Sequence, residues 1–293
     1  MDRAITDLNE LTAEAERLSE DAFARRVALL EAAEDICEVL RHAGYGSRPA
    51  LRRAQRLVGE LEASNAAYCA RLRQGLLRGS LTPAELRSEL DRLTAYTPER
   101  RALHIEQEPA DRLVDGIMRL ERFRGSPTIE DRDFVHLEDS PVRVLLDLID
   151  HVSLAASDCF FDLGSGLGRA ALLVHWLSGV RARGVEVQPE YHAFADSLAG
   201  EFRLERVRFE RADVRDADLS EGTVFYLFTP FKGRILDALW AKLQQEARSR
   251  AIRVCTYGAI SLAAARLGWL HAADGDSPHE FSLAVWQAGP AAR

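Results

Sequence analysis

The chain has 293 residues, 47% hydrophobic and 29% charged, with a formal net charge of −8. That composition fits a soluble globular protein of about two domains, and no apolar run nears the roughly 18 residues of a spanning helix. The negative charge disfavours generic nucleic-acid binding, and the scattered Cys37, Cys69, Cys159 and Cys255 make neither a disulfide framework nor a cysteine-rich zinc site.

The start, MDRAITDLNELTAEAE, lacks a signal peptide's basic and apolar regions. A reducing cytoplasm is the expected setting. Lys232 and Lys242 are the sole lysines among 38 basic residues, a bias that points to a GC-rich bacterial genome.

Residues to about 125 read as helices. Ile5, Leu8, Leu11, Ala15 and Leu18 recur at three- and four-residue steps, as do Phe23, Val27, Leu30, Ala33, Cys37 and Leu40. A third run uses Leu51, Ala54, Val58, Leu61, Tyr68, Leu72 and Leu76, set off by Gly44 and Gly46. Thr82 as N-cap, Pro83 in the first turn and Glu85 reaching back open a further helix. One more is expected from Asp111 to Arg124, with Leu113, Ile117 and Leu120 inward. Residues 1–38 carry eleven acids against four arginines, and residues 48–78 seven arginines against Glu60 and Glu62. Such faces attract each other or dock an acidic partner.

A loop follows to Ser140, and Ser140-Pro141 opens a helix with Val142, Leu145, Leu146 and Ile149 inward. Short apolar strands then alternate with helices: Cys159–Leu163, Ala182–Val187, Arg206–Glu210, Thr223–Phe228 and Ile252–Tyr257. This alternation predicts a parallel sheet covered on both faces. Gly268–Ala273 and Glu280–Ala288 read as two final strands. The short loop Asp274-Gly275-Asp276-Ser277-Pro278 can join them only antiparallel.

The chemistry concentrates in Phe160-Phe161-Asp162-Leu163-Gly164-Ser165-Gly166-Leu167-Gly168-Arg169. A buried strand runs into a glycine turn and then a helix, placing a ligand at the sheet's carboxyl edge. Dinucleotide sites want G-x-G-x-x-G, and Arg169 stands where the third glycine belongs. Asp162 would repel a pyrophosphate and suits a cationic ligand. Glu186, 22 residues after Gly164, ends the second strand and can accept hydrogen bonds from ribose hydroxyls. Asp213 follows the third strand and can accept from an adenine amino group, with Val214 packing on the ring. Three acids at three successive strand ends, with the glycines, describe a nucleoside site.

Phe160–Gly168, Glu186 and Asp213 resemble motifs I, II and III of class I S-adenosylmethionine-dependent methyltransferases, over about residues 130–293. Motif I is most similar to the non-SET lysine methyltransferases named for disruption of telomeric silencing, and to their bacterial relatives. The resemblance implies a Rossmann-like α/β fold, a seven-stranded sheet with its last strand antiparallel, and the helical periodicity before residue 125 sets an all-α N-terminal domain ahead of it. The resemblance implies S-adenosylmethionine as cofactor, S-adenosylhomocysteine as product, and a cofactor site of Asp162, Leu163, Gly164, Ser165, Gly166, Gly168, Glu186, Val187, Asp213, Val214, Thr229, Pro230 and Phe231. The expected divisions are a helical domain at 1–125, a lead-in loop and helix at 126–155, and the core at 156–293.

The acceptor is expected beside the end of the fourth strand, near Tyr226, Thr229, Pro230, Phe231 and Lys232. Phe228-Thr229-Pro230-Phe231 departs from the asparagine-rich segment of the histone enzymes and from the N/D-P-P-Y/F of nucleic-acid amino methyltransferases. The acceptor is therefore expected to be a small molecule or a protein side chain. Candidate catalytic residues are His136 and Glu138, in the loop Phe134–Asp139, with Tyr226 and Thr229. His104, His151, His175, His192 and His271 read as surface or packing residues, and no metal site is expected. The helical domain is expected to select the acceptor, act as a lid, or form a homodimer. The rival readings are a catalytically silent S-adenosylmethionine-binding sensor or scaffold, and a nicotinamide-dependent oxidoreductase.

Overall fold

The computed structural model describes residues 2–43, 48–94, 96–97, 107–273 and 278–290. Gly44, Gly46, His104 and residues 274–277 of the expected final loop lie outside them.

Three helices begin the chain: α1 (Asp2–Ala15), α2 (Phe23–His42) and α3 (Arg48–Arg78). Their apolar stripes close on each other through Leu8, Leu30, Ala33, Leu40, Leu57 and Leu61. In α4 (Pro83–Thr94) the capping box forms as the sequence requires. Thr82 Oγ1 accepts the Glu85 N–H at 3.2 Å, and the Thr82 N–H donates to Glu85 Oε2 at 2.8 Å.

The helix expected from Asp111 to Arg124 is shorter. α5 (Pro109–Met118) ends where Arg119 adopts a left-handed φ of 58°, and Leu120–Arg122 form a single 3₁₀ turn. The left-handed residue turns its N–H back to the Asp115 and Gly116 carbonyls and ends the helix. Leu113 and Ile117 are buried as expected, and Leu120 is half-buried. α6 (Val142–Val152) starts after Pro141 and buries Val142, Leu145 and Leu146.

Seven strands follow: β1 (Cys159–Leu163), β2 (Arg181–Glu186), β3 (Val207–Arg211), β4 (Val224–Phe228), β5 (Ile252–Tyr257), β6 (His271–Ala272) and β7 (Ala284–Ala288). Their order is β3-β2-β1-β4-β5-β7-β6. β1 to β5 pair in parallel, and β7 runs antiparallel between β5 and β6. This is the sheet the resemblance implies. β6 and β7 are shorter than their apolar runs. The ladder from Ile252↔Ala288 to Thr256↔Ala284 limits β7 to five residues, and β6 pairs through only His271 and Ala272.

α7 (Arg169–Ser178), α8 (Pro189–Glu201), α9 (Gly233–Ser249) and α10 (Ile260–Ala264) complete the described helices. β1 is buried along its whole length, because helices cover both faces of the sheet's centre. On one face Leu90, Leu113, Leu145 and Leu172 join Phe160 and Tyr226 in a single cluster. The helices α4, α5 and α6 therefore share a core with α7 and the sheet. On the other face Phe161, Phe225 and Leu227 pack with Leu239, Trp240 and Leu243 of α9. Among the described residues no helix is long and apolar enough to cross a membrane, and no group of three or more His, Cys, Asp or Glu is placed to hold a metal.

Candidate active site

Strand order reverses at β1, which has β2 on one side and β4 on the other. The chain leaves the two carboxyl ends of β1 and β4 in different directions, and a cleft opens between them. Gly164, Gly166 and Gly168 take φ of 86°, 51° and 89°, in the region glycine occupies without strain. Close packing makes the same demand. A Cβ on Gly164 would sit 2.4 Å from Pro230 Cβ, and one on Gly168 would sit 2.7 Å from Phe209 Cζ. The loop hangs from β2: the Gly164 and Ser165 N–H groups donate to the Val185 carbonyl at 2.9 and 3.0 Å.

Glu186 is buried at the end of β2 and braces this loop. Its Oε2 accepts the Gly166 N–H and its Oε1 the Gln188 N–H, each at 2.8 Å. A carboxylate has about four acceptor sites, so these backbone donors do not exhaust it, and Glu186 lines the cleft. Burial raises the Glu186 pKa, against the backbone donors of Gln188, Gly166 and Val187. Asp162 lies beneath the loop, buried. Desolvation pushes its carboxyl up to about 7, opposed by the Ala171 N–H and reinforced by the charges of Glu186 and Asp139.

The cleft holds two adjoining cavities. The larger, about 750 Å³, is lined by Gly164, Gly166, Glu186, Val187, Pro230 and Phe231, among others. The smaller, about 560 Å³, is lined by Asp111, Asp115, Arg169, Thr229, Tyr257 and Glu280, among others. Both sizes suit a small organic ligand. Val135, His136, Glu138 and Phe228 line both cavities, so the loop 134–139 stands between them. A bridge between Phe134 and Phe231 ties the start of that loop to the end of β4, and the Val135 N–H donates to the Pro230 carbonyl at 3.2 Å. Leu137 lies against the glycine loop: a Cβ on Gly166 would meet its Cδ1 at 2.5 Å.

The structure therefore brings His136, Glu138, Glu186, Val187, Gly164, Gly166, Thr229, Pro230 and Phe231 to one cleft. Thr229 carries a φ of 39°, unusual for a non-glycine residue, and its Oγ1 donates to the Tyr257 carbonyl at 3.1 Å. Backbone strain at a strand end beside a cleft is characteristic of sites that hold a ligand.

Other residues named from the sequence stand elsewhere. Tyr226 is fully buried on the α6 side of the sheet, its hydroxyl 3.1 Å from Ser140 Oγ, and burial raises its pKa well above the usual value. The side chain of an inward strand position points into the core here, where the sequence placed it at the acceptor. Leu163 and Val214 are buried in the apolar cluster beneath the cleft. Asp213 is engaged by Arg215, whose Nη2 and Nε reach its two oxygens at 2.6 and 2.9 Å. Ser165 Oγ is buried with no hydrogen-bond partner among the described residues. Of the histidines, the His175 and His192 rings contact the backbone carbonyls of Val180 and Phe209, and His151 contacts Asp147.

Several cleft residues carry no signal at sequence level. Gln188 accepts from the Thr128 and Ile129 N–H groups and donates to the Ile129 carbonyl, closing residues 127–129 over β2. Asp111 and Asp115 reach the smaller cavity from α5. Asp111 is legible only as a first-turn helix acid. There it accepts the Glu108 N–H and also caps α6 at the Val142 N–H, each at 2.8 Å.

Residues 135–220 match the family described as "Histone methylation protein DOT1". A search of curated proteins found no match. Among solved structures the chain is similar to an RNA methyltransferase from Salinibacter ruber in complex with S-adenosyl-L-homocysteine: 23% identity, 52% of this chain and 94% of that chain covered, TM-score 0.42. A putative methyltransferase, yhhF, from Escherichia coli matches at 11% identity, over 54% of this chain and 91% of that chain, TM-score 0.41. A geranyl diphosphate C-methyltransferase from Streptomyces coelicolor matches at 23% identity and TM-score 0.34, over 38% of this chain and 43% of that chain, so less than half of that enzyme is spanned. The sheet order and the family match carry the assignment: the chain has the class I methyltransferase fold and over residues 135–220 is similar to the DOT1 histone methylation proteins.

Proposed function

We propose that this protein is an S-adenosylmethionine-dependent methyltransferase, with the nucleoside end of the cofactor in the larger cavity and the methyl acceptor in the smaller. The carrying observation is Glu186. Each of its oxygens takes one backbone N–H, which does not exhaust the carboxylate, and the residue lines a 750 Å³ cavity beside the glycine loop. The donor set fits the cofactor. Glu186 accepts from the ribose, and the glycine loop and Pro230 bound the pocket. The structures bound to S-adenosyl-L-homocysteine among the similar proteins support this reading.

When bound, S-adenosylmethionine supplies a methyl group on a positively charged sulfur. The chain's residues then have three tasks. The loop 134–139 separates the two cavities and keeps water from the reacting centre. Thr229 and Tyr257 shape the acceptor side. Glu138, on both cavity walls, takes the proton an acceptor must lose.

The acceptor side is acidic. Among the described residues, Asp111, Asp115, Glu138, Asp139 and Glu280 face it against one arginine, Arg169. Desolvation pushes the Asp115 carboxyl up to about 6, opposed by Arg169 and reinforced by Asp139 and Asp111. This lining favours a basic acceptor group, on a small molecule or a protein side chain. The helices before residue 125 supply one wall of that cavity through α5, which supports a role in selecting the acceptor.

Calorimetry with S-adenosylhomocysteine tests the cofactor. Binding at micromolar strength is expected, with no heat from NADPH, and a folded protein silent to S-adenosylhomocysteine refutes the proposal. Mass spectrometry of a cell extract incubated with isotopically labelled cofactor and the protein then identifies the acceptor. The proposal expects label on basic groups.

A further inference from the structure

Arg169 begins α7, directly after the glycine loop, and is only 4% exposed. Its guanidinium collects three carboxylates from two other parts of the chain. Nη1 lies 3.4 Å from Asp111 Oδ1, and Nη2 binds Asp115, both on α5. Nη2 also lies 3.5 Å from Asp139 Oδ2, at the end of the loop 134–139. Nη1 donates further to the Ser140 carbonyl at 3.3 Å. Asp111 is immobilised by the Glu108 and Val142 N–H groups, so the α5 side of the cluster is fixed.

The loop between the cavities is therefore held at two points. The Phe134–Phe231 bridge holds its start and the Arg169–Asp139 pair holds its end. Between them Leu137 rests on Gly166, while Val135 and Leu137 remain 40% and 39% exposed. Little apolar burial secures the middle of the loop, so its position depends on its two ends. Without Arg169, Asp139 would face Asp115 and Asp111 with no Arg or Lys among the described residues lining the smaller cavity. Like charges at that range repel, and a carboxylate stripped of its partner in a half-buried setting moves toward water.

We propose that Arg169 is a positioning residue, which uses the carboxylates of α5 as an anchor to hold the loop 134–139 through Asp139 over the glycine loop. The N-terminal helices thereby act on the cofactor side of the cleft as well as on the acceptor side. The geometry is independent of what binds. The consequence for ligand affinity rests on the cofactor reading above.

Hydrogen exchange by mass spectrometry on the full-length, ligand-free protein tests the restraint. The amide of Val135, bonded to Pro230, is the reporter. Asp139→Asn leaves the buried side of the cluster intact and is expected to speed exchange in 134–139 by about two- to fivefold, the range for one partly exposed ion pair. Peptides from β5 and α9 are expected to be unchanged. Arg169→Met is expected to loosen the same segment further, and Arg169→Lys to recover part of the loss, since an ammonium can reach one carboxylate but not three. Asp139→Asn alone carries the test if Arg169→Met does not fold. Unchanged exchange in 134–139 for Asp139→Asn overturns the proposal. So does faster exchange with unaltered affinity for S-adenosylhomocysteine, because the restraint would then not act on the site. Wild-type protein that binds no S-adenosylhomocysteine refutes the cofactor reading instead, and leaves the exchange comparison standing.

Discussion

Asp162 and Glu186 look alike in the sequence, as acids at the ends of neighbouring strands, but burial gives them different work. Burial pushes the Asp162 carboxyl up to about 7 in the folded chain, well above the usual aspartate range. The folded state therefore binds its proton more tightly than the unfolded state does. This contribution to stability is present at low pH and falls as pH rises from about 4 to about 7. Asp162→Asn removes the ionisation while keeping an acceptor for the Ala171 N–H. The variant is expected to melt roughly 2–4 °C above wild type at pH 8, for each 1 kcal/mol relieved, and alongside it at pH 4. Melting scans at the two pH values check this, and a variant less stable at pH 8 would contradict it. Glu186→Ala carries a double loss. Ligand affinity is expected to fall about ten- to a hundredfold. Stability should fall too, by roughly 1–3 kcal/mol, because the Gly166 and Gln188 N–H groups lose their acceptor. Calorimetry and urea unfolding separate the two effects. From sequence alone Glu186 is legible as an acid at a strand end beside the glycine loop; its brace on that loop depends on how β2 and the loop lie side by side.

Among the elements, what was readable is what nearest neighbours decide. The Thr82–Glu85 capping box needs only four residues, and it is present. Thr82→Ala is expected to cost about 1 kcal/mol, measurable as a lower urea midpoint with an unchanged slope. The glycine loop was equally legible, since three positive φ values in a row of alternating positions call for glycine. The early end of α5 was not legible. Leu113, Ile117 and Leu120 continue the helical period, and Arg119 has no special freedom at φ 58°. The left-handed turn at Arg119 ends that helix, and tertiary packing brings Arg169 to the α5 carboxylates. Tyr226 was misplaced for a similar reason. Alternation along β4 shows that successive side chains face opposite ways, but only the packing of α6 shows which face holds the core.

At the scale of the molecule, the helices before residue 125 are built into the sheet's core. Leu90, Leu113 and Ile117 are within 1% of full burial and share a cluster with Leu145 and Leu172. Arg73, 1% exposed, reaches from α3 to Glu201 at the end of α8 and stacks over Phe202. A fragment beginning at Arg124 would expose the faces of α6 and α7 that these residues cover. Each lost large apolar contact is worth roughly 2–5 kcal/mol in such a core. The fragment is expected to lose its cooperative melting transition, and calorimetric scanning of the purified fragment checks it. A sharp transition near that of the full chain would show that the core stands alone.

The sequence by itself determined the order of strands and helices, the glycine loop, and the acids at three strand ends, because these rest on periodicity and on the conformations single residues allow. Only the tertiary structure decided which of those acids face the cleft. Glu186 lines it, Asp162 lies beneath it, and Asp213 is engaged by Arg215. It also decided that α5 supplies a wall of the smaller cavity, since Asp111 and Arg169 are 58 residues apart in the chain and meet only when the helices pack. Local patterns specify which elements form. Burial and charge pairing between distant segments specify what each side chain is free to do.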